Sequence, residues 1–332
     1  MSFMERENII GIALVLGTVI VVSLLILGHN SNISSVETNL TKQPVEISES
    51  QSDQVLGRLS HTLSLDKTLP PKTEYVMAYK TVPVHYSRQD IISLAKKFNM
   101  STSGRIKEVS EGSSIASVDG KEYAILHNSG FVEYRNSNRA HTINPLDVPE
   151  NLPSDEEAVK IATKFLKNQD LFPEGAIFSK TNHGKIFKLG ENGNDIVVWE
   201  DVEVWFGREL NGNLVEGTQL MLAIGGDGDP IEYFTNWRIY ESYKEYPIIS
   251  PDEAFEQLKK KGVSVGTYDS NSVISIDETY LAYRTKPGAE TEEYLEPVWV
   301  FKGDVTVDEK PVMYVKENVP AFTDESVKSL SS

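Results

Sequence analysis

Apolar residues recur at helical spacing in three places, and each run follows a serine that favours the start of a helix. The runs begin behind Ser87, Ser154 and Ser250. Residues three or four apart lie on one face of a helix, so the spacing predicts three amphipathic helices. The apolar face of the first is formed by Ile91, Leu94, Ala95 and Phe98, and that of the second by Ala158, Ile161, Ala162, Phe165 and Leu166.

The acidic residues at the starts of the second and third helices have a structural explanation. Ser154 with Glu157, and Ser250 with Glu253, have the spacing of a capping box, in which each side chain bonds the other residue's amide. Pro251 suits the first helical position because that position needs no amide hydrogen. The similarity of the two openings therefore predicts helices of similar construction and indicates no shared reaction.

Apolar and polar residues alternate after each predicted helix, which is typical of half-buried strands. In "DVEVWF", Val202, Val204 and Phe206 alternate with Glu203 and Trp205. The pairs Asp119-Gly120 and Asn211-Gly212 are strong signals for hairpin turns. The predicted fold class is therefore α+β, with tandem small units in which one helix packs on an antiparallel sheet.

The first apolar run is different, because residues 9–28 contain no charged side chain. Twenty such residues are long enough to cross a bilayer as a helix. The run exceeds the usual core of a cleaved signal peptide and lacks a small-x-small cleavage site, so we expect an uncleaved single-pass transmembrane helix. Arg6 precedes the run and no Lys or Arg follows it before Lys42, which favours a cytoplasmic N-terminus. We therefore expect a single-pass protein of the cell membrane whose C-terminal domains are extracytoplasmic.

These patterns divide the chain into seven segments. Residues 29–71 are rich in Ser, Thr, Asn and Gln and end at two prolines, which is typical of a flexible stalk. The predicted segments are 1–8 as a short cytoplasmic N-terminus, 9–28 as the transmembrane helix, 29–71 as the stalk, 72–145 as an α+β domain, 150–245 and 246–320 as two repeats, and 321–332 as a disordered tail.

Composition restricts the possible partners and chemistry. The net charge of −17 argues against binding to nucleic-acid phosphates. The chain has no cysteine, which excludes disulfides, thiolate catalysis and Cys-ligated zinc. No nucleotide-binding glycine motif or His-x-x-x-His pair is present, and no cofactor is predicted.

The second and third units resemble a known family. The segments "SDEEAVKIATKFL", "VWFGRELNGNLVEGTQLMLAI", "DPIEYFTNW", "YPIISPDEAFEQL" and "YLEPVWVFKGD" are similar to PepSY-like domains, which occur in peptidase propeptides and in membrane-anchored envelope proteins. The resemblance covers about 150–316 and implies a cystatin-like helix on an antiparallel sheet. It also implies a role in inhibiting, chaperoning or sensing other extracytoplasmic proteins, and it brings no catalytic residues.

Where such domains usually have a simple turn between the later strands, this chain has "GGDGDP". Asp227 and Asp229 are candidate ligands for a cation such as Ca²⁺, which takes several oxygen ligands from a tight loop. The sequence favours a hairpin turn, whose glycines permit positive φ and whose aspartates bond local amides, because no EF-hand glutamate follows. The adjacent acids Glu292 and Glu293 are a possible acid–base pair, but the sequence favours a solvated face for them.

Other candidate contact residues are aromatic or carry sequons. Trp205 is out of phase with the apolar residues of its strand, so it is a candidate for ligand contact on the far face of the sheet. Packing under a neighbouring unit is the alternative. Asn32, Asn39 and Asn99 begin N-x-Ser/Thr sequons and are candidate glycosylation sites.

Together these features predict a membrane-anchored, extracytoplasmic and noncatalytic binding or regulatory protein. Its expected partner is an envelope protein or peptide, bound by strand addition at an open sheet edge. The alternative is an envelope hydrolase or metal-dependent enzyme whose site is dispersed in sequence. Convergent carboxylates, serines or histidines in a pocket would favour the enzyme, whereas an open edge or apolar groove would favour binding.

Overall fold

Three helices begin at the serines that the sequence marks as caps. The computed structural model describes residues 62–140, 149–190, 192–263, 272–287, 290 and 292–330. Helices α1 (Arg88–Lys97), α2 (Asp155–Asn168) and α3 (Pro251–Lys261) each have a complete capping box, from Ser87, Ser154 and Ser250 respectively. The predicted helix starts are therefore confirmed.

Fourteen strands, one further α-helix and a 3-10 turn at Gly226–Gly228 complete the secondary structure of the described residues. Most strands are joined by short turns, and Gly120 and Gly212 have positive φ in two of those that the sequence predicts. The remaining elements are β1 (Thr62–Leu65), β2 (Tyr75–Val82), β3 (Arg105–Val109), β4 (Gly112–Ala116), β5 (Glu122–His127), β6 (Phe131–Asn136), β7 (Ala176–Leu189), β8 (Asp195–Leu210), β9 (Asn213–Ile224), β10 (Pro230–Asn236), β11 (Ile239–Pro247), β12 (Val273–Arg284), β13 (Tyr294–Val307), β14 (Lys310–Pro320) and α4 (Asp324–Leu330).

Eight of these strands form an antiparallel region in the order β3-β4-β5-β6-β10-β9-β8-β7, called here the eight-stranded region. Helix α1 packs on β4 and β5, and helix α2 packs on β8 and β9. The two helices share one apolar core on the same face of this region. The ring of Phe98 stacks on Tyr134 with centroids 4.1 Å apart and lies 5.4 Å from Phe165 of α2, which ties the two helices together.

The other six strands form the six-stranded region. β13 pairs with β12, β14 and β2, while β1 pairs in parallel with β12 and β11 pairs with β2. Helix α3 packs against β14 over a second apolar core. A short parallel ladder between β12 and β9, at Tyr283 with Val215 and Arg284 with Glu216, joins this region to the eight-stranded one.

The predicted fold class is wrong, because the strands do not form separate small antiparallel sheets. They join one large mixed sheet, in which β6 of the first predicted unit pairs with β10 of the second. Strand β2 likewise leaves its own unit to pair with β11 and β13. The helix behind each set of strands is retained, but α1 and α2 cover a common core, so the first two units share one sheet.

The N-terminal prediction cannot be compared with coordinates, since the proposed transmembrane helix at 9–28 lies outside the described residues. Among those that are described, no helix is long and apolar enough to span a bilayer. Two other expectations, for the stalk and for the tail, differ from the structure. Within the predicted stalk, Leu63 and Leu65 of β1 pack against the second core, and the predicted disordered tail contains helix α4, whose Ser326 donates to the carbonyl of Pro247.

A buried ion pair fixes the connection that follows β12 and corrects one sequence expectation. Glu292 is 6% exposed instead of solvated, and its Oε2 lies 3.4 Å from Nη1 of Arg238. The same carboxylate accepts from the hydroxyl of Tyr240 at 2.6 Å. Arg238 Nη2 also donates to the carbonyls of Pro287 and Glu290, so one guanidinium holds the loop against the segment between β10 and β11.

This network predicts a large difference between two adjacent acids. Glu292→Gln leaves the buried charge of Arg238 uncompensated, and we expect it to lower the free energy of unfolding by about 3 kcal/mol or more. Glu293→Gln is the matched control, because Glu293 is exposed and surface substitutions usually change stability by less than about 0.5 kcal/mol. Urea unfolding of both variants measures the difference, and equal effects would contradict the assigned role of Glu292.

Candidate functional site

The face of the eight-stranded region opposite α1 and α2, called here the back face, carries acidic residues instead of a continuous apolar layer. Strand β8 explains this, because successive side chains point to opposite faces. Val202, Val204 and Phe206 belong to the core under the helices. Asp201 and Glu203 alternate with them and therefore lie on the back face, although they are 0% and 8% exposed.

Asp201 and Glu203 converge over Gly184 of the neighbouring strand β7. The Gly184 amide donates to Asp201 Oδ1 at 3.1 Å, while Asp201 Oδ2 is buried and has no hydrogen-bond partner among the residues that the structure describes. A Cβ at Gly184 would meet Asp201 Oδ1 at 2.4 Å and Glu203 Oε1 at 3.2 Å. The two carboxylates therefore lean outward from β8 across the backbone of β7, into space that only a glycine leaves open.

The electrostatic environment of Asp201 is unfavourable for a charge. Burial is the main factor that raises its pKa well above the usual value, and the nearby charges of Glu203 and Glu232 raise it further. The Gly184 hydrogen bond and Arg135 oppose these effects. An added positive charge at this position would stabilise the ionised carboxylate.

Two further acids extend the acidic group towards the middle of the back face. Glu232 of β10 is 3.7 Å from Arg135 Nε, and burial raises the pKa of Glu232 to about 7 despite this arginine. Glu133 of β6 accepts from the Tyr123 hydroxyl at 2.6 Å. We call Asp201, Glu203, Glu232 and Glu133 the acidic cluster.

The acidic cluster has two possible chemical uses. A carboxyl group with a pKa near 7 is suited to general acid–base chemistry. However, Glu232 is only 6% exposed and is paired with Arg135, so a substrate would have to displace packed side chains to reach it. Recognition of a positively charged group needs only the carboxylates that lean towards the edge, Asp201 and Glu203.

Strand β7 is an exposed edge beside the acidic cluster. It extends over 14 residues and, within the described parts of the chain, pairs with β8 alone. Phe178, Phe187 and Leu189 on this strand are 52%, 49% and 75% exposed. An unpaired strand edge presents a row of backbone donors and acceptors, so β7 offers both hydrogen bonds and apolar surface to another chain.

A histidine clasp fastens the middle of β7 to helix α2. His183 Nε2 lies 2.9 Å from Asp155 Oδ1 at the start of α2, and its Nδ1 lies 2.8 Å from Glu200 Oε1 of β8. Thr181 donates to the other oxygen of Asp155 at 2.8 Å. The clasp lies on the helix-covered side of β7, so the outer edge of the strand is held in position while staying accessible.

The structure places the predicted cation ligands in a turn with partners within the protein. Asp227 has a φ of 60°, and its Oδ1 accepts from Asn151 at 3.3 Å. Asp229 forms an ion pair with Arg139. These contacts dock the turn onto neighbouring segments, and among the described residues no three His, Cys, Asp or Glu side chains are grouped to hold a metal ion. Calcium binding here stays a prediction.

The other predicted site residues are separated in the structure. Trp205 lies on the back face and donates from Nε1 to Glu203 Oε2 at 2.9 Å, so it borders the acidic cluster. Asn99 is exposed just beyond α1, with a φ of 57°. Asn32 and Asn39 lie outside the described residues. The roles of these residues in ligand contact or glycosylation stay predictions.

Sequence reasoning missed the acidic cluster and the edge strand. Strand β7 was not predicted, because apolar and polar residues do not alternate in "AIFSKTNHGKIFKL" and an extra residue, Ser179, interrupts its pairing with β8. The sequence "DVEVWF" of β8 shows that polar residues alternate with apolar ones, but it does not show that the polar residues are buried. A buried back face follows from the long-range pairing of β6, β9 and β10, which no local pattern shows.

Comparison with known proteins gives limited similarity. No family model matches the chain, and no curated protein matches it. An uncharacterized protein from Eubacterium rectale, solved as a crystal structure, is 14% identical with a TM-score of 0.44, and covers 79% of this chain and 87% of its own. The YpeB C-terminal domain of Bacillus megaterium is 15% identical with a TM-score of 0.34, and covers 71% of this chain and 98% of its own. Neither similarity assigns a family or a role to the chain.

The clasp predicts the titration of His183. Burial lowers its pKa, but the hydrogen bonds and charges of Asp155 and Glu200 outweigh burial and raise the pKa above the usual value. The clasp therefore contributes its full stability below the unfolded pKa of about 6.5 and loses it as the pH rises through the higher folded pKa.

The measurement is an NMR titration of the His183 ring, assigned by comparison with His183→Gln. Asp155→Asn removes one carboxylate, so we expect the pKa of His183 to fall towards that of an ordinary histidine. Ser250→Ala, which removes a cap from a different helix, should leave the titration unchanged. A wild-type pKa at or below about 6.5 would contradict the clasp.

Proposed function

We propose that the protein is a membrane-anchored, extracytoplasmic and noncatalytic binding protein that recognises an extended segment of another protein. The segment adds as a further strand to β7 of the eight-stranded region. The observation that carries the proposal is the long, exposed edge of β7 with its apolar side chains. The anchoring part rests on the uncharged sequence 9–28 alone.

Strand β7 is better suited to this role than the other edges in the described residues. β1 and β3 have only four and five residues, and β14 contains Pro311 and Pro320, which cannot donate backbone hydrogen bonds. Strand β11 has nine residues, ends at Pro247 and is mainly polar. Strand β7 has 14 residues, no proline and exposed phenylalanines.

The charge of β7 favours a partner segment with acidic residues. In a chain with 49 acids and 32 bases, residues 176–189 contain three lysines and no acid. One of them, Lys185, is paired with Glu200 at 3.3 Å. Lysines on an edge strand also prevent association with a second copy of the same edge, which complements selection of a different, oppositely charged strand.

A display library of random decapeptides tests the proposal with the full chain in detergent. Selected peptides should protect backbone amides of 176–189 from hydrogen exchange, because strand addition gives those amides new partners. Phe187→Ser combined with Leu189→Ser should weaken binding by about tenfold or more, since part of each exposed side chain becomes buried on binding. Isothermal titration calorimetry gives the affinities.

Val118→Ser is the matched control, because Val118 is 82% exposed in the turn between β4 and β5, away from β7. It should bind the selected peptides like the wild type. Protection at another edge, or an equal loss in the control, would contradict the assignment to β7. Hydrolysis of the peptides by the wild type but not by Glu232→Gln would favour the enzyme alternative, for which the pKa of Glu232 is the specific indication.

A further inference from the structure

A gap in the side chains of β7 gives the acidic cluster access to the edge of the sheet. Asn182 and Gly184 are two residues apart on β7 and both belong to the back face. They pair with Glu203 and Asp201 of β8. Asn182 donates to Glu203 Oε2 at 3.1 Å, but Gly184 has no side chain. The carboxylates of Asp201 and Glu203 fill the position where a side chain at 184 would begin.

A strand added outside β7 would bring one of its own side chains to this gap. Neighbouring strands are about 4.8 Å apart, so the added strand lies about twice that distance from β8. The stem of a lysine or arginine spans one strand spacing, and Gly184 places no side chain of its own in the path. The charged end then meets Asp201 and Glu203.

We propose that Asp201 and Glu203 form a subsite for one lysine or arginine side chain of a partner strand bound along β7. The proposal rests on the proposed function and adds the residue that the partner must supply. The independent observation that points to a ligand is Asp201 Oδ2, which is buried and has no hydrogen-bond partner in the described part of the chain. A buried carboxylate oxygen without a partner costs about 1–3 kcal/mol, which an incoming N–H donor would offset.

The surroundings define the rest of the recognised segment. Phe187 and Leu189 are exposed further along β7. The irregularity after Ile186 skips a residue of β8, so β7 keeps its own alternation, and these two side chains lie on the face opposite to that of Gly184. The partner residues beside Phe187 and Leu189 are therefore three and five positions from the basic residue and point to the other face.

Access to the subsite requires a local change. Asp201 is fully buried in the free protein, so the side chain of Asn182 must turn outward to admit the basic group. Trp205 Nε1 donates to the same oxygen, Glu203 Oε2, so Glu203 stays in place when Asn182 leaves it. The back face beyond it, with Glu232 and Arg135, keeps its packing.

The experiment uses peptides selected on the full chain that protect β7 amides. Each is resynthesised with its basic residue replaced by citrulline, which has nearly the shape of arginine without the charge. For the wild-type protein, the arginine peptide should bind about tenfold or more tightly than the citrulline peptide, the gain expected of a charge-assisted hydrogen bond in a buried position.

Asp201→Asn is the principal variant, because asparagine keeps an oxygen for the Gly184 amide. It should bind the arginine and citrulline peptides with similar affinity, at the level of the wild type with citrulline. Glu203→Gln is the second variant and should show a smaller loss of the same kind. Asp229→Asn, which removes an acid from the turn before β10, should keep the wild-type preference for arginine.

The outcomes separate this inference from the proposed function. Selected peptides that protect β7 but contain no lysine or arginine overturn the subsite and leave strand addition intact. A loss in Asp201→Asn that is equal for both peptides also overturns it, because such a loss reflects damage to the fold. Absence of any peptide that protects β7 overturns the proposed function and the subsite together.

Discussion

The alternation of side chains along β8 is the constraint on which the rest of the structure depends. This 16-residue strand lies between β7 and β9, so its two faces serve different purposes. Val202, Val204 and Phe206 are needed in the core beneath α2. Once they are placed there, the period of two directs Asp201 and Glu203 to the back face. A shift of one residue in the register would bring the acids into the core and is therefore strongly disfavoured.

Sequence patterns predicted the local structure well, because the causes are local. The three capping boxes form between residues three positions apart, and all three are present. The turn at Asn211 and Gly212 has the positive φ angles that its sequence requires. The alternation of Val202, Val204 and Phe206 is likewise present in β8. In each case neighbours in sequence determine the conformation.

The same patterns failed where distant segments meet. The chain changes partner at Trp237 and Arg238, so that β10 pairs with β6 while β11 pairs with β2. Arg238 is held there by Glu292, more than fifty residues later in the chain. Glu292 was expected to be solvated because acidic residues usually are, and only its three-dimensional partners explain its burial. The prediction of tandem units was wrong because local propensity predicts where a strand lies but not which other strand it pairs with.

The residues of the candidate site are not those that would make the buried back face most stable. Apolar residues at 201 and 203 would satisfy the buried back face better than two carboxylates, one of which has an oxygen without a partner. Sequences tend to depart from the most stable choice at functional positions, where the cost is offset by binding.

Gly184 belongs to the same compromise, because any other residue would collide with Asp201. The glycine keeps the acids within reach of the edge, and the His183 clasp on the other face holds that edge against α2. An exposed strand alone would accept many sequences, since backbone hydrogen bonds are common to all of them. The buried charge beside β7 is what would make the edge selective.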